Sequence, residues 1–195
     1  MPAKLIFATN NAHKIAEISP LIAHQFQLIT LAEAGIDIDI PEPHDTLEAN
    51  ATEKSITIHR LTGENVFSED TGLEVTALNG EPGVKSARYA GDTRDFGKNI
   101  NKLLVNLSGQ SDRSARFRTV VSLILQGKEY QFEGICEGHI SETPSGHEGF
   151  GYDPVFIPAG ANRSFAEMSL REKNQYSHRK KAIAKLIDFF NNNFA

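Results

Sequence analysis

The chain has a single cysteine, Cys136, among its 195 residues, which excludes an internal disulfide framework and suits a reducing compartment. It has no apolar run near the ~18–20 residues that a membrane-spanning helix needs. The N-terminal MPAKLIFATNNAHK turns polar too early for a secretory leader. Nor is there an excess of basic residues: 25 acids outnumber 20 lysines and arginines, and the net charge of -5 argues against a general nucleic-acid binder. The P-loop pattern G-x-x-x-x-G-K-[ST], the zinc pattern H-E-x-x-H and the nucleophile elbow G-x-S-x-G are all missing. Cys136 falls within a strand pattern and reads as a buried structural thiol. With no repeat, low-complexity tract or Gly/Ser linker, residues 1–195 are expected to form one cytoplasmic domain with a substantial core.

What is present alternates between strand and helix signals. KLIFAT (4–9) and FQLIT (26–30) read as strands, with a helix from Ala12 until Pro20 disturbs it. Residues 35–45 read as a loop, and Asp45 with Glu48 as the capping pair of a helix over about 46–61. NVFSE and LEVTA read as strand segments on either side of two acids, and residues 79–94 as a glycine-rich loop. A helix is expected from Phe96 to Leu107. ARFRTVVSLILQ and EYQFEGICEGHISE read as a hairpin turning at Gly127-Lys128. Ser169 with Glu172 repeats the capping pattern, and an amphipathic helix runs from Ser177 to about Asn191. The class is α/β with a mixed sheet.

Four polar segments stand out from this framework. FATNNAHK (7–14) is a strand–turn–helix whose N-terminal amides and Lys14 suit a phosphate, although the pattern is also ordinary structure. SEDTG (68–72) places Glu69 and Asp70 side by side, either as a solvated strand end or as oxygen ligands for a hard divalent cation. Glu42 is a third acid able to converge on them. SGHEGFGYDP (145–154) carries Phe150 and Tyr152, which either join the core or stack on a flat ring while Asp153 reads its edge. EKNQYSHRKKA (172–182) puts His178 and Arg179 in the first turn of a helix. Cations are unfavourable there unless an anion or an electron-rich ligand edge lies nearby.

Together these segments resemble the inosine triphosphate pyrophosphatase family, also called dITP/XTP or non-canonical purine NTP pyrophosphatases. The resemblance rests on T-x-N-x-x-K, E-D-T-G-L-E-V, A-L-N-G-x-P-G, S-A-R-Y-A-G, G-F-G-Y-D-P-V-F and F-A-E-M-S-x-x-E-K-N-x-x-S-H-R, in order along nearly the whole chain. Two departures are visible. Asn10 stands where the family usually has glycine, and Leu47-Glu48-Ala49-Asn50-Ala51 replaces F-E-E-N-A.

The resemblance implies an elongated mixed β-sheet flanked by helices, two lobes with a central substrate cleft, and a homodimer. It also implies Mg²⁺-dependent hydrolysis of ITP, dITP or XTP between the α- and β-phosphates, giving the monophosphate and pyrophosphate. Carried over by residue, Thr9, Asn10, Asn11, Ala12, His13 and Lys14 match the phosphate-binding turn. Glu42, Glu69 and Asp70 match the metal site, with Asp70 also the catalytic base. Lys54, Thr71, Phe150, Gly151, Tyr152, Asp153, Lys173, His178 and Arg179 match substrate contacts. Lys14, Lys54 and Lys173 are expected to neutralise pyrophosphate, and Arg179 or His178 to donate to O6 of the purine. Two other readings are a non-hydrolysing nucleotide sensor on the same scaffold and a pyrophosphatase for other modified nucleotides.

Overall fold

Leu5, Ile6 and Phe7 are consecutive and all buried, so the strand that carries them is covered on both faces, as in the interior of a parallel sheet. The computed structural model describes residues 3–194. In it β1 (Ala3–Phe7) pairs in parallel with β2 (Phe26–Thr30), from Ala3↔Phe26 to Phe7↔Thr30. On its other side β1 pairs in parallel with β3 (Val66–Val75), at Ile6↔Val66 and Phe7↔Phe67. Parallel neighbours need crossover connections, and the helices α1 (Ala12–Ile22) and α2 (Leu47–Thr62) lie in them.

α1 continues two residues past Pro20, further than the proline suggested, because Ile18 and Ile22 are fully buried and hold the last turn. α2 is capped by Thr46, whose side chain accepts the Ala49 N–H, rather than by Asp45. The two strand segments expected around the acids form one strand. β3 runs unbroken for ten residues through Glu69 and Asp70. Beyond them it pairs antiparallel with β4 (Pro82–Gly83) at Leu73↔Gly83, inside the segment expected to be wholly loop. A Cβ at position 72 would lie 2.7 Å from the Gly83 carbonyl oxygen, so this approach requires glycine.

α3 (Phe96–Asn106) is capped by Asp95, and β5 (Ser114–Leu125) and β6 (Lys128–Ile140) are sheet neighbours. Their two-residue turn is Gln126-Gly127, with φ of 52° and 77°, one residue earlier than expected because Lys128 already belongs to β6. β7 (Phe156–Pro158) pairs antiparallel with β6. α4 (Leu170–Lys173) opens with the expected Ser169/Glu172 box, and α5 (His178–Phe194) closes the described chain. The sheet order is β2-β1-β3-β5-β6-β7, with β4 on β3, and helices flank this mixed sheet.

The chain packs as two compact units. The first comprises Met1–Asp70, Thr119–Gly134 and Arg179–Ala195; the second comprises Thr71–Arg118 and Ile135–His178. Each has its own core. In the first, Phe7 stacks on Phe67 at 4.4 Å, with Ile18, Ile22, Val121, Leu123 and Leu186 around them. In the second, Phe117, Phe156 and Phe165 pack with Leu73, Leu103 and Tyr152. Among the described residues no helix is long and apolar enough to cross a membrane.

Candidate active site

In the first unit, neighbouring side chains of a strand point to opposite faces, and each acid of β3 meets a different lysine there. Lys14 Nζ, from the first turns of α1, lies 2.6 Å from Glu69 Oε1. Lys54 Nζ, from the middle of α2, lies 2.9 Å from Asp70 Oδ1 and 2.7 Å from Glu42 Oε1. Glu69, Asp70 and Lys54 are all buried. The adjacent acids are therefore held by one ammonium each, delivered by successive crossover helices.

Burial disfavours the charge on Lys54, but Asp70 and Glu42 outweigh it and its pKa is raised. Burial also pushes the Asp70 carboxyl above the ordinary carboxylate range. Lys54 and Lys14 pull it back in part, and Glu42 adds to the rise. Two acids share one ammonium here, so the ammonium gains more from the cluster than Asp70 does.

Arg179, the first residue of the last segment to belong to this unit, is buried and donates through Nη1 to Glu17 Oε2. Its Nε lies 3.6 Å from Glu69 Oε2. Lys14, Glu69, Arg179 and Glu17 thus form a row of alternating charge. Glu17 was not expected from the sequence. The available signal was its place one turn after Lys14 on α1, an i,i+3 spacing that puts both on one face.

The N-terminal turn is more self-contained than a bare helix end. Thr9 Oγ1 accepts the Asn11 N–H, and Asn11 Oδ1 accepts those of His13 and Lys14. An anion at this turn competes with the Asn11 side chain for those two amides. Asn10 is not among the residues with positive φ, so the turn does not use the left-handed conformation that the usual glycine suggested. Its Nδ2 instead donates to the Ile38 carbonyl at 3.1 Å.

The second unit holds the ring-reading candidates. Asp153 Oδ2 accepts the Phe150 N–H at 2.9 Å and lies 2.6 Å from Lys173 Nζ, with Asp153 and Lys173 both buried. That ammonium is 5.5 Å from the Phe150 ring centroid and 5.2 Å from that of Phe165. Lys173 therefore keeps company with the aromatic loop, where a pyrophosphate role had been expected. Phe150 is partly exposed, whereas Tyr152 is a core residue at 3% exposure whose hydroxyl donates to the Ser86 carbonyl. Of the two aromatics, Phe150 is the one with an accessible face. His178 is buried and stacks on Phe117 at 4.7 Å. Thr71 is half-buried, immediately after the acids.

The loop that carries these groups is tightly closed. His147 and Glu148 both donate backbone N–H to the Ala166 carbonyl, and Ala166 donates to that of Asp153. A Cβ at position 146 would fall 2.2 Å from the Ala166 backbone, and φ there is 81°, so only glycine fits.

The family model described as "Ham1 family" matches residues 5–189. The chain belongs to the Ham1 family. Among curated relatives, a dITP/XTP pyrophosphatase of Porphyromonas gingivalis is 50% identical, the match covering 95% of this chain and 96% of that one. One of Flavobacterium johnsoniae is 48% identical, with coverage of 95% and 96%. Among solved structures, the Ham1 protein of Staphylococcus aureus has a TM-score of 0.89 at 37% identity, covering 97% of this chain and 98% of that one. A HAM1 protein from Coxiella burnetii has a TM-score of 0.90 at 34% identity, covering 97% and 99%.

The donor chemistry of this Ham1 chain fits a hard divalent cation. Glu42 and Asp70 already converge on one positive charge, and both offer oxygen. Glu69 is the acid already matched by two cations, Lys14 and Arg179. Among the described residues, no group of three or more His, Cys, Asp or Glu side chains is gathered to hold a metal. A Mg²⁺ site here would therefore be completed by water and ligand oxygens, which is how that ion is commonly bound with phosphates.

Proposed function

We propose that the chain hydrolyses non-canonical purine nucleoside triphosphates, ITP, dITP and XTP, to the monophosphate and pyrophosphate, removing them from the nucleotide pool. The observation that carries this reading is the buried pair Glu69-Asp70, set in the middle of a strand and matched by a lysine from each of two helices. An acid pair with that investment in counter-charge suits phosphoryl transfer, where positioning and charge supply most of the rate.

In this mechanism Asp70 orients and deprotonates the attacking water. Its carboxylate is buried on β3 and held by Lys54, so its position is fixed for that role. Lys14 and Lys54 neutralise the phosphates and the charge gathering on pyrophosphate. Glu69 fixes Lys14, and Glu17 with Glu69 fixes Arg179. The cofactor we assign is Mg²⁺, held by Glu42 and Asp70 with Glu69 beside them. When bound, it supplies Lewis-acid neutralisation of phosphate oxygens.

In the second unit Phe150 offers a stacking face for the purine, and the Asp153–Lys173 pair sets the orientation of that loop. Hypoxanthine and xanthine present O6 as acceptor and N1–H as donor, the reverse of adenine. A site built for the first pattern leaves buried groups unpaired with the second, which costs orders of magnitude in rate. The cytoplasmic setting and the homodimer belong to the same proposal, and size-exclusion chromatography with light scattering tests the latter.

The deciding experiment measures pyrophosphate release from ITP, XTP, GTP and ATP with Mg²⁺. Rates for ITP and XTP at least a hundredfold above ATP are expected, and equal rates on all four overturn the proposal.

A further inference from the structure

We infer that Ser86 is a positioning residue for the nucleotide-binding loop, acting through Tyr152 and through the strand that follows the acid pair. The inference rests on the reading of residues 150–153 as the ring-binding loop and extends it to a residue in the S-A-R-Y-A-G segment.

Ser86 opens a short 3₁₀ turn, Ser86–Arg88. Its Oγ accepts the Leu73 N–H at 2.9 Å and donates to the Gly83 carbonyl at 2.6 Å. Its own carbonyl accepts the Tyr152 hydroxyl at 2.9 Å. Asn99, buried on α3, clamps the same turn from the other side. Its Nδ2 donates to the Ala87 carbonyl at 3.1 Å, and its Oδ1 accepts the Ala90 N–H at 2.7 Å.

Two features make this more than turn chemistry. Leu73 is fully buried and lies two residues after Thr71, so its N–H has no water to turn to if the serine oxygen is removed. Tyr152 is buried between Gly151 and Asp153, so whatever fixes its hydroxyl fixes the backbone that carries Phe150 and the Asp153 carboxylate. Burial, with the neighbouring Tyr89, pushes the Tyr152 hydroxyl well above its ordinary pKa, which keeps it a donor throughout the working range. The turn thus pins strand β3 and the aromatic loop to one point inside the second unit.

The experiment is steady-state kinetics on ITP and GTP for Ser86→Ala, Tyr152→Phe, the double variant and Phe150→Ala, with circular dichroism on each. Ser86→Ala removes both Oγ hydrogen bonds and Tyr152→Phe the one to the Ser86 carbonyl, and each is expected to raise KM for ITP about tenfold, with kcat within about twofold. The double variant is expected to fall short of the product of the two effects, because both loosen the same loop. A Ser86→Ala protein with a native spectrum and unchanged KM overturns the inference. So does full multiplicativity in the double variant, or an equal fall in kcat. Phe150→Ala separates the two levels: if it too leaves KM unchanged, the loop reading itself fails, whereas a raised KM there with a silent Ser86→Ala sinks only this inference.

Discussion

Replacing Lys54 with methionine keeps the helix and most of the side-chain volume but removes the ammonium shared by Glu42 and Asp70. In the native chain that ammonium lies 2.7 Å from one carboxylate and 2.9 Å from the other, at 6% exposure for the lysine and 7% for Asp70. Screening by water is small at such depth, so the surface-pair value of under about 1 kcal/mol does not apply. Removing one partner of a buried pair costs about 3–5 kcal/mol. For a chain of this length each kcal/mol is worth about 2–4 °C, so Tm at pH 7 should fall by about 6–20 °C. The sign with pH follows from the acid left behind. Asp70 is already raised by burial, and without Lys54 it rises further. A carboxyl whose folded pKa exceeds its unfolded value destabilises the fold above that unfolded value and stops doing so once it is protonated. The deficit of Lys54→Met should therefore shrink as pH falls from 7 to 5. Paired thermal melts of wild type and variant at the two pH values, without added divalent cation, read this directly. A deficit below 1 kcal/mol at pH 7, or one unchanged at pH 5, refutes the view that Lys54 neutralises buried acids.

Asp70→Asn should lower turnover of ITP by about 10²–10⁴ if it removes the general base, and near wild-type pyrophosphate release with Mg²⁺ would remove Asp70 from that role. Glu172, in the box that opens α4, is held down to about 2 by the Ser169 backbone N–H, then by Arg163 and the Ser169 hydroxyl. Its stabilising contribution is present above its unfolded value and is lost as pH falls through about 2. Wild type and Glu172→Gln should therefore differ in denaturant midpoint at pH 6 and converge near pH 2. Gly146→Ala drives a methyl against the Ala166 backbone and should cost more than about 2 kcal/mol, seen as a lower Tm; an unchanged Tm would mean the loop yields there.

Much of this was legible in the sequence because the signals were local. FQLIT, the Ser169–Glu172 box and the span of α3 follow from a few adjacent residues. Errors arose where tertiary contacts outweigh local preference. Two adjacent acids look like a strand end until Lys14 and Lys54, carried by two different helices, are placed one on each. Pro20 looks like a helix stop until buried Ile22 is seen to hold the turn beyond it. In the candidate site, the polar motifs named most of the groups that the fold gathers, but not their pairing. Lys173 was grouped with the phosphates, and what the sequence did not show is that its ammonium lies against Asp153 and the Phe150 ring, a contact made across twenty residues. Glu17 went unseen because a glutamate on an amphipathic helix gives no sign that it is buried against an arginine 162 positions away.

The separate cores of the two units bear on how such a chain can vary. The acids, Lys14, Lys54 and Arg179 lie in the unit built on the clusters of Phe7 with Phe67 and of Ile6 with Ile58, while Phe150, Asp153, Lys173 and Tyr152 lie in the unit built on Phe117, Phe156 and Phe165. Substitutions that reshape the loop 145–154 need not disturb the packing behind Glu69 and Asp70. A change in packing at residues 145–154 can therefore be absorbed by the second core without repacking the first.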